Sequence, residues 1–66
     1  MSKPVINEMV RILICLLNLE GRRDDAALIK SRINSHLLPA TLGWYSGETG
    51  DVGRLAHKIL SENGNI

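Results

Sequence analysis

Phenylalanine is missing from this chain, and its only two aromatic residues, Trp44 and Tyr45, are adjacent. Cys15 is the single cysteine, which excludes an intrachain disulfide. His36, His57 and Cys15 fall at no recognisable ligand spacing, so the sequence predicts no metal site and no cofactor. A chain of 66 residues buries only about 60% of the surface that it exposes when unfolded. We therefore expect its core to be small and to gain stability from self-association.

A strong excess of either charge is also absent. Eight basic and seven acidic residues leave a formal charge of +1, which gives little attraction to nucleic acid or anionic lipid. The longest apolar run, Ile12 to Leu17, has six residues, whereas roughly 20 are needed to span a bilayer. Lys3 precedes an apolar stretch, as in a signal peptide, but Arg11 interrupts that stretch and no cleavage site follows. The sequence predicts a soluble cytoplasmic protein with Cys15 reduced.

The first segment has the pattern of a helix that is apolar around most of its circumference. Pro4 suits a first helical position and Gly21 suits the left-handed residue that ends a helix, so helix 1 is predicted from about residue 4 to residue 20. Its polar side chains form one narrow strip that contains Asn7, Arg11 and Asn18. A helix packed on one side needs an apolar arc of roughly 100°. Helix 1 exceeds this arc and must be covered on several sides.

Capping and stop signals predict two further helices. Asp24 can cap helix 2, predicted over residues 25–37, and Pro39 opposes its continuation. Thr49 or Asp51 can cap helix 3, predicted over residues 51–63, with Gly64 as the stop signal. Residues 38–50 are predicted to form a glycine-rich aromatic loop, and no alternating run predicts a strand. The expected fold is a single all-α domain over residues 1–66, with a helical hairpin and a third helix.

The apolar stripes of helices 2 and 3 are too narrow to enclose helix 1. The surplus face of helix 1 is therefore predicted to form a homodimer or partner interface. We assign five residues to this self-association face: Ile6, Val10, Leu13, Ile14 and Leu17.

The stretch GWYSGETGD, residues 43–51, places the two aromatic residues among glycines. One interpretation is that Trp44 folds back onto Leu38 and Leu42 and closes the open end of the hairpin, since large aromatic residues are mostly buried. A second is that Trp44 and Tyr45 are an exposed anchor for a protein partner, because both residue types are common binding hot spots. A ligand pocket beneath the loop is a third.

Four basic residues suggest a different partner. Arg22 and Arg23 in the first turn, with Arg54 and Lys58 on helix 3, could contact DNA phosphates, and the short turn is similar to that of a helix-turn-helix. A solvated helix surface is the simpler interpretation of these residues. The balanced charge also weighs against nucleic-acid binding, because it offers little nonspecific affinity.

No catalytic group is predicted, because the acidic residues are scattered and a domain of this size has little volume for a shared pocket. We do not expect an enzyme. The leading hypothesis is a non-catalytic protein-protein interaction module that self-associates through helix 1 and binds or modulates a larger macromolecule. The alternatives are a small dimeric nucleic-acid-binding regulator and a small inhibitor of an enzyme or complex.

Overall fold

The structure, a computed structural model, describes residues 3–62, with side chains for residues 6–62. It contains four α-helices, α1 Lys3–Leu19, α2 Arg23–Ser31, α3 Leu38–Ser46 and α4 Asp51–Leu60. No strand occurs within residues 3–62, which confirms the all-α class. The described part of the chain thus has one helix more than the three predicted. The predicted stop at Gly64 lies outside the described residues.

Helix α1 ends as its sequence predicts. Gly21 adopts a left-handed conformation with φ of 78°. The Gly21 N–H donates to the Asn18 carbonyl over 3.0 Å, and the Arg22 N–H donates to the Leu17 carbonyl over 2.8 Å. These two bonds are those of a Schellman motif, which satisfies carbonyls that the helix end would leave without partners. The reversal places Arg22 directly before α2.

Helix α2 ends at Ser31 rather than near the predicted Leu37. Side chains of two serines compete here with the helical backbone: the Ser31 hydroxyl donates to the Leu28 carbonyl, and the Ser35 hydroxyl accepts the Leu37 N–H. The predicted N-cap is also wrong, because no side chain caps α2. Asp24 instead lies in the first turn, where its negative charge favours the helix dipole.

The predicted loop over residues 38–50 contains α3, because its side chains repeat with helical spacing. Its buried residues are Leu38, Thr41, Leu42 and Tyr45, which lie one turn apart on a single face. Pro39 is in the first turn, where its missing N–H leaves no helical hydrogen bond unmade. The prediction took proline and glycine as helix breakers and overlooked this periodicity.

Helix α4 begins after Gly50, whose φ is 91°. Neither Thr49 nor Asp51 provides the predicted side-chain cap. Gly53 in the first turn is buried, and a Cβ atom placed there would overlap the carbonyl oxygen of Glu48. The close approach of these two backbone segments therefore depends on glycine at this position.

Helix α1 packs against both α2 and α4, and α3 packs mainly against α4. All four helices contribute to one apolar core, which consists of Ile6, Val10, Leu13, Leu17, Ala26, Ile29, Leu38, Leu42, Tyr45, Val52, Ala56 and Ile59. No helix in the described part of the chain has the length and apolar character needed to cross a membrane.

The predicted self-association face of α1 is the face that enters this core. Val10, Leu13 and Leu17 have no exposed surface, Ile6 is buried and Ile14 is half-buried. The assignment was wrong because α2 and α4 both pack on α1 and bury this face, whereas α3 packs mainly against α4. Ile6, Val10, Leu13 and Leu17 are therefore not available to a second chain.

Candidate protein-binding surfaces

A second apolar strip runs along the side of α1 that the core leaves uncovered. Ile12 is 55% exposed and Leu19 is 81% exposed. Met9 and Leu16 alternate with them along the strip and are partly buried against the core. The four residues, here called the outer seam, follow one another at intervals of three, four and three, the spacing of residues that pair helices. Cys15 is exposed beside the seam.

Trp44 lies on the outward side of α3. It is 68% exposed, because the buried face of α3 is formed by its neighbours in the helix. Ala40 and Leu37, one and two turns before it, are also exposed. The interpretation in which Trp44 closes the hairpin with Leu38 and Leu42 is therefore wrong. Exposure is what the anchor interpretation requires of Trp44.

Tyr45 lies about 100° further round α3 and is only 5% exposed. Its position one turn after Leu42 places it on the buried face. The structure thus separates the two residues that the sequence grouped as a partner-binding pair. Tyr45 belongs to the core, and its neighbour Trp44 is left at the surface.

The hydroxyl of Tyr45 joins a polar network. It donates to Asp25 Oδ1 over 2.8 Å, and Arg22 Nε donates to Asp25 Oδ2 over 2.9 Å. Arg22 also donates from Nη1 and Nη2 to the two carboxylate oxygens of Glu48, each over 2.7 Å. The guanidinium carbon lies 5.8 Å from the centre of the Tyr45 ring, within the range of a cation–π contact. Arg22, Asp25, Tyr45 and Glu48 are here called the Arg22 network.

The charges of the Arg22 network stabilise one another. The hydrogen bond from Tyr45, followed by that from Arg22, holds the pKa of Asp25 below its ordinary value. The hydrogen bonds from Arg22 likewise lower the pKa of Glu48. Burial, together with the bond to Asp25, raises the pKa of Tyr45 to about 12. Both carboxylates are thus ionised and paired at neutral pH, so neither is poised to transfer a proton.

The Arg22 network contains one of the four residues that were predicted to contact nucleic acid. Arg22 is bound by two carboxylates and does not face a partner as a free cation. Arg23 is exposed on α2, whereas Arg54 and Lys58 are exposed on α4. One of the four cations is thus neutralised within the chain, and the other three are divided between two helices.

Comparison of the chain with protein-family models, with curated protein sequences and with solved structures finds no match. Within residues 3–62, no group of three or more His, Cys, Asp or Glu side chains could hold a metal ion. The structure is an all-α domain in which the charged groups of the Arg22 network pair with one another. Apolar side chains remain exposed on α1 and α3.

Proposed function

We propose that this chain is a non-catalytic protein-interaction module that self-associates through the outer seam of α1 and binds a larger protein through Trp44. The exposure of Leu19 and Ile12, 81% and 55%, carries the proposal. These side chains lie at helix-pairing spacing on a helix whose other face is already used by the core. Burial of apolar surface is worth about 25 cal/mol per Å², so covering the seam favours association.

A second copy of the chain is the occupant that the outer seam fits best. The seam itself is apolar, and a two-fold axis would place the same residues on both sides of the interface. Apolar side chains spaced by three and four residues pack into one another when two such helices pair. Small domains commonly gain stability from this kind of assembly.

Trp44 supports the second half of the proposal. Tryptophan is among the commonest residues at binding hot spots, and Leu37 and Ala40 extend the apolar surface on the same side of α3. The Arg22 network holds the adjacent Tyr45 in place. A helix fixed in this way loses less conformational freedom when it binds, which favours affinity.

The two alternative functions have weaker support. Three exposed cations, Arg23, Arg54 and Lys58, favour nucleic-acid binding, but Arg22 is neutralised by its own chain. An inhibitor of an enzyme or complex would use the same apolar surfaces and differs from the leading proposal only in the identity of the partner.

Sedimentation equilibrium tests the self-association. We expect the wild-type chain to dimerise at micromolar concentration and Leu19→Glu to be monomeric, because the new charge would be buried in the interface. Leu37→Glu makes the same chemical change at an exposed residue away from α1 and should still dimerise. A folded wild-type monomer throughout the micromolar range contradicts the proposal.

A further inference from the structure

A groove between α1 and α2 is distinct from both the outer seam and Trp44. It has a volume of about 230 Å³ and is lined by Ile14, Asn18, Arg23, Ala26, Ala27 and Lys30. Typical small-molecule pockets enclose about 300–1,000 Å³, and this groove is both smaller and open to solvent. It suits one or two side chains of another protein.

The floor and the rim of the groove differ in chemistry. Its floor is apolar, with Ala26 buried and Ile14 half-buried, whereas Arg23 and Lys30 are exposed at its rim. None of the lining residues is acidic. Among residues 6–62, all described salt bridges involve Arg22 and leave the two rim cations unpaired. The groove therefore complements a ligand that combines an apolar group with negative charge.

The spacing of the rim cations indicates the form of that ligand. Arg23 and Lys30 are seven residues apart on one side of α2, which corresponds to two helical turns or about 10.5 Å. Ala26 and Ala27 lie between them, and their small side chains let another backbone come close. A second helix with two carboxylates seven residues apart would match both cations, and the residues three and four positions after the first carboxylate would face the floor.

We propose that this groove binds an acidic amphipathic helix of a partner protein. Apolar side chains of the helix contact Ile14 and Ala26, and its carboxylates pair with Arg23 and Lys30. The inference rests on the proposed function in taking the chain as a protein-binding module, but it needs neither the outer seam nor Trp44. The apolar floor favours a protein helix over nucleic acid, whose binding is dominated by contacts to phosphate.

A designed helical peptide tests the groove. The probe carries two glutamates seven residues apart and leucines at the third and fourth positions after the first, and its binding is followed by fluorescence anisotropy at low salt. We expect Arg23→Glu/Lys30→Glu to weaken binding at least about tenfold, since like charges then face each other. Arg54→Glu/Lys58→Glu, with the same change of charge on α4, should bind as the wild type does.

Exchanged charges provide the decisive control. A peptide with lysines in place of the glutamates should bind the Arg23→Glu/Lys30→Glu protein and not the wild type. Equal binding of a peptide with glutamines in place of the glutamates, or with serines in place of the leucines, overturns the inference. So does a DNA duplex that binds through Arg23 and Lys30 when the peptide does not.

The outcome is separable from that of the self-association test. Leu19→Glu should bind the peptide as tightly as the wild type. If the wild-type chain binds the peptide but does not dimerise, the self-association proposal is contradicted and the groove inference is supported. If the wild-type chain dimerises but does not bind the peptide at millimolar peptide concentration, the groove inference is overturned and the proposed self-association through the outer seam is unaffected.

Discussion

Tyr45 connects the core of the domain to its polar network, because its ring is buried while its hydroxyl reaches Asp25. Ionisation would place a negative charge in the core and beside the Asp25 carboxylate. Both effects oppose the phenolate, and burial is the larger. The residue therefore reports directly on whether α2 and α3 are docked.

Titration of Tyr45 gives a first prediction. The chain has one tyrosine, so its phenolate absorbance is unambiguous, and we expect a pKa of about 12 in the folded protein. Because this pKa is higher than the ordinary value near 10, its stabilising effect is complete below pH 10 and is lost as the pH rises toward 12. The chain unfolded in denaturant should titrate near 10. The same midpoint in the folded chain would show that Tyr45 is not buried beside Asp25.

A second prediction is that alanine substitutions at two glycines change the stability of the fold in opposite directions. Gly53→Ala should destabilise the fold by about 1–3 kcal/mol, because the new Cβ overlaps the Glu48 carbonyl and the backbone must shift. Gly43→Ala, within α3 and open to solvent, should stabilise it by about 0.5–1 kcal/mol through helix propensity. Urea unfolding measures both. Equal effects of the two substitutions would contradict the close approach of α4 to Glu48.

The helices differ in how much of them could be predicted from the sequence. The bounds of α1 and its end at Gly21 were available from helical periodicity and stop signals. The start of α4 at residue 51 was also predicted, and its residues Val52, Ala56 and Ile59 are buried. Helix α3 was not predicted, because Pro39 and the glycines of this segment are typical of a loop. The signal for a helix is the spacing of its buried residues, Leu38, Thr41, Leu42 and Tyr45.

The Arg22 network could not be predicted from local patterns. Arg22 and Glu48 are 26 positions apart, and their pairing depends on how the α3–α4 turn returns to the start of α2. Only the spacing of Arg22 and Asp25, i to i+3, is a signal within the sequence. The uncovered face of α1 depends in the same way on which helices the fold brings to it.

Removal of Arg22 gives a third prediction. The lowered pKa values of Asp25 and Glu48 mean that their contribution to stability is present above their ordinary values near 4 and is lost as the pH falls through the folded values. Arg22→Met should therefore unfold at lower urea than the wild type at pH 7, and the difference should shrink in acid.

Arg23→Met is the matched control, because the neighbouring Arg23 is exposed and makes none of the described salt bridges. We expect it to change the urea midpoint little at any pH. If the two variants unfold alike at pH 7, the Arg22 network does not hold the turn and α3 together.

At the scale of the whole molecule, residues 6–62 enclose one face of α1 and leave another uncovered. Helices α2 and α4 pack on α1, and α3 completes the core with them. Ile12 and Leu19 remain outside, in a domain whose stability is marginal because of its size. This distribution of apolar surface is the basis of the proposed self-association.

Cross-linking at Cys15 locates the interface most directly. Cys15 is the only cysteine and lies exposed beside the outer seam, so pairing of two α1 helices brings the two thiols close together. We predict that a short bis-maleimide converts the wild-type chain to a covalent dimer at micromolar concentration. The variant Cys15→Ser/His36→Cys, with its thiol in the α2–α3 connection, should yield little. Equal cross-linking from both positions, or none from Cys15 in a folded chain, would contradict association through α1.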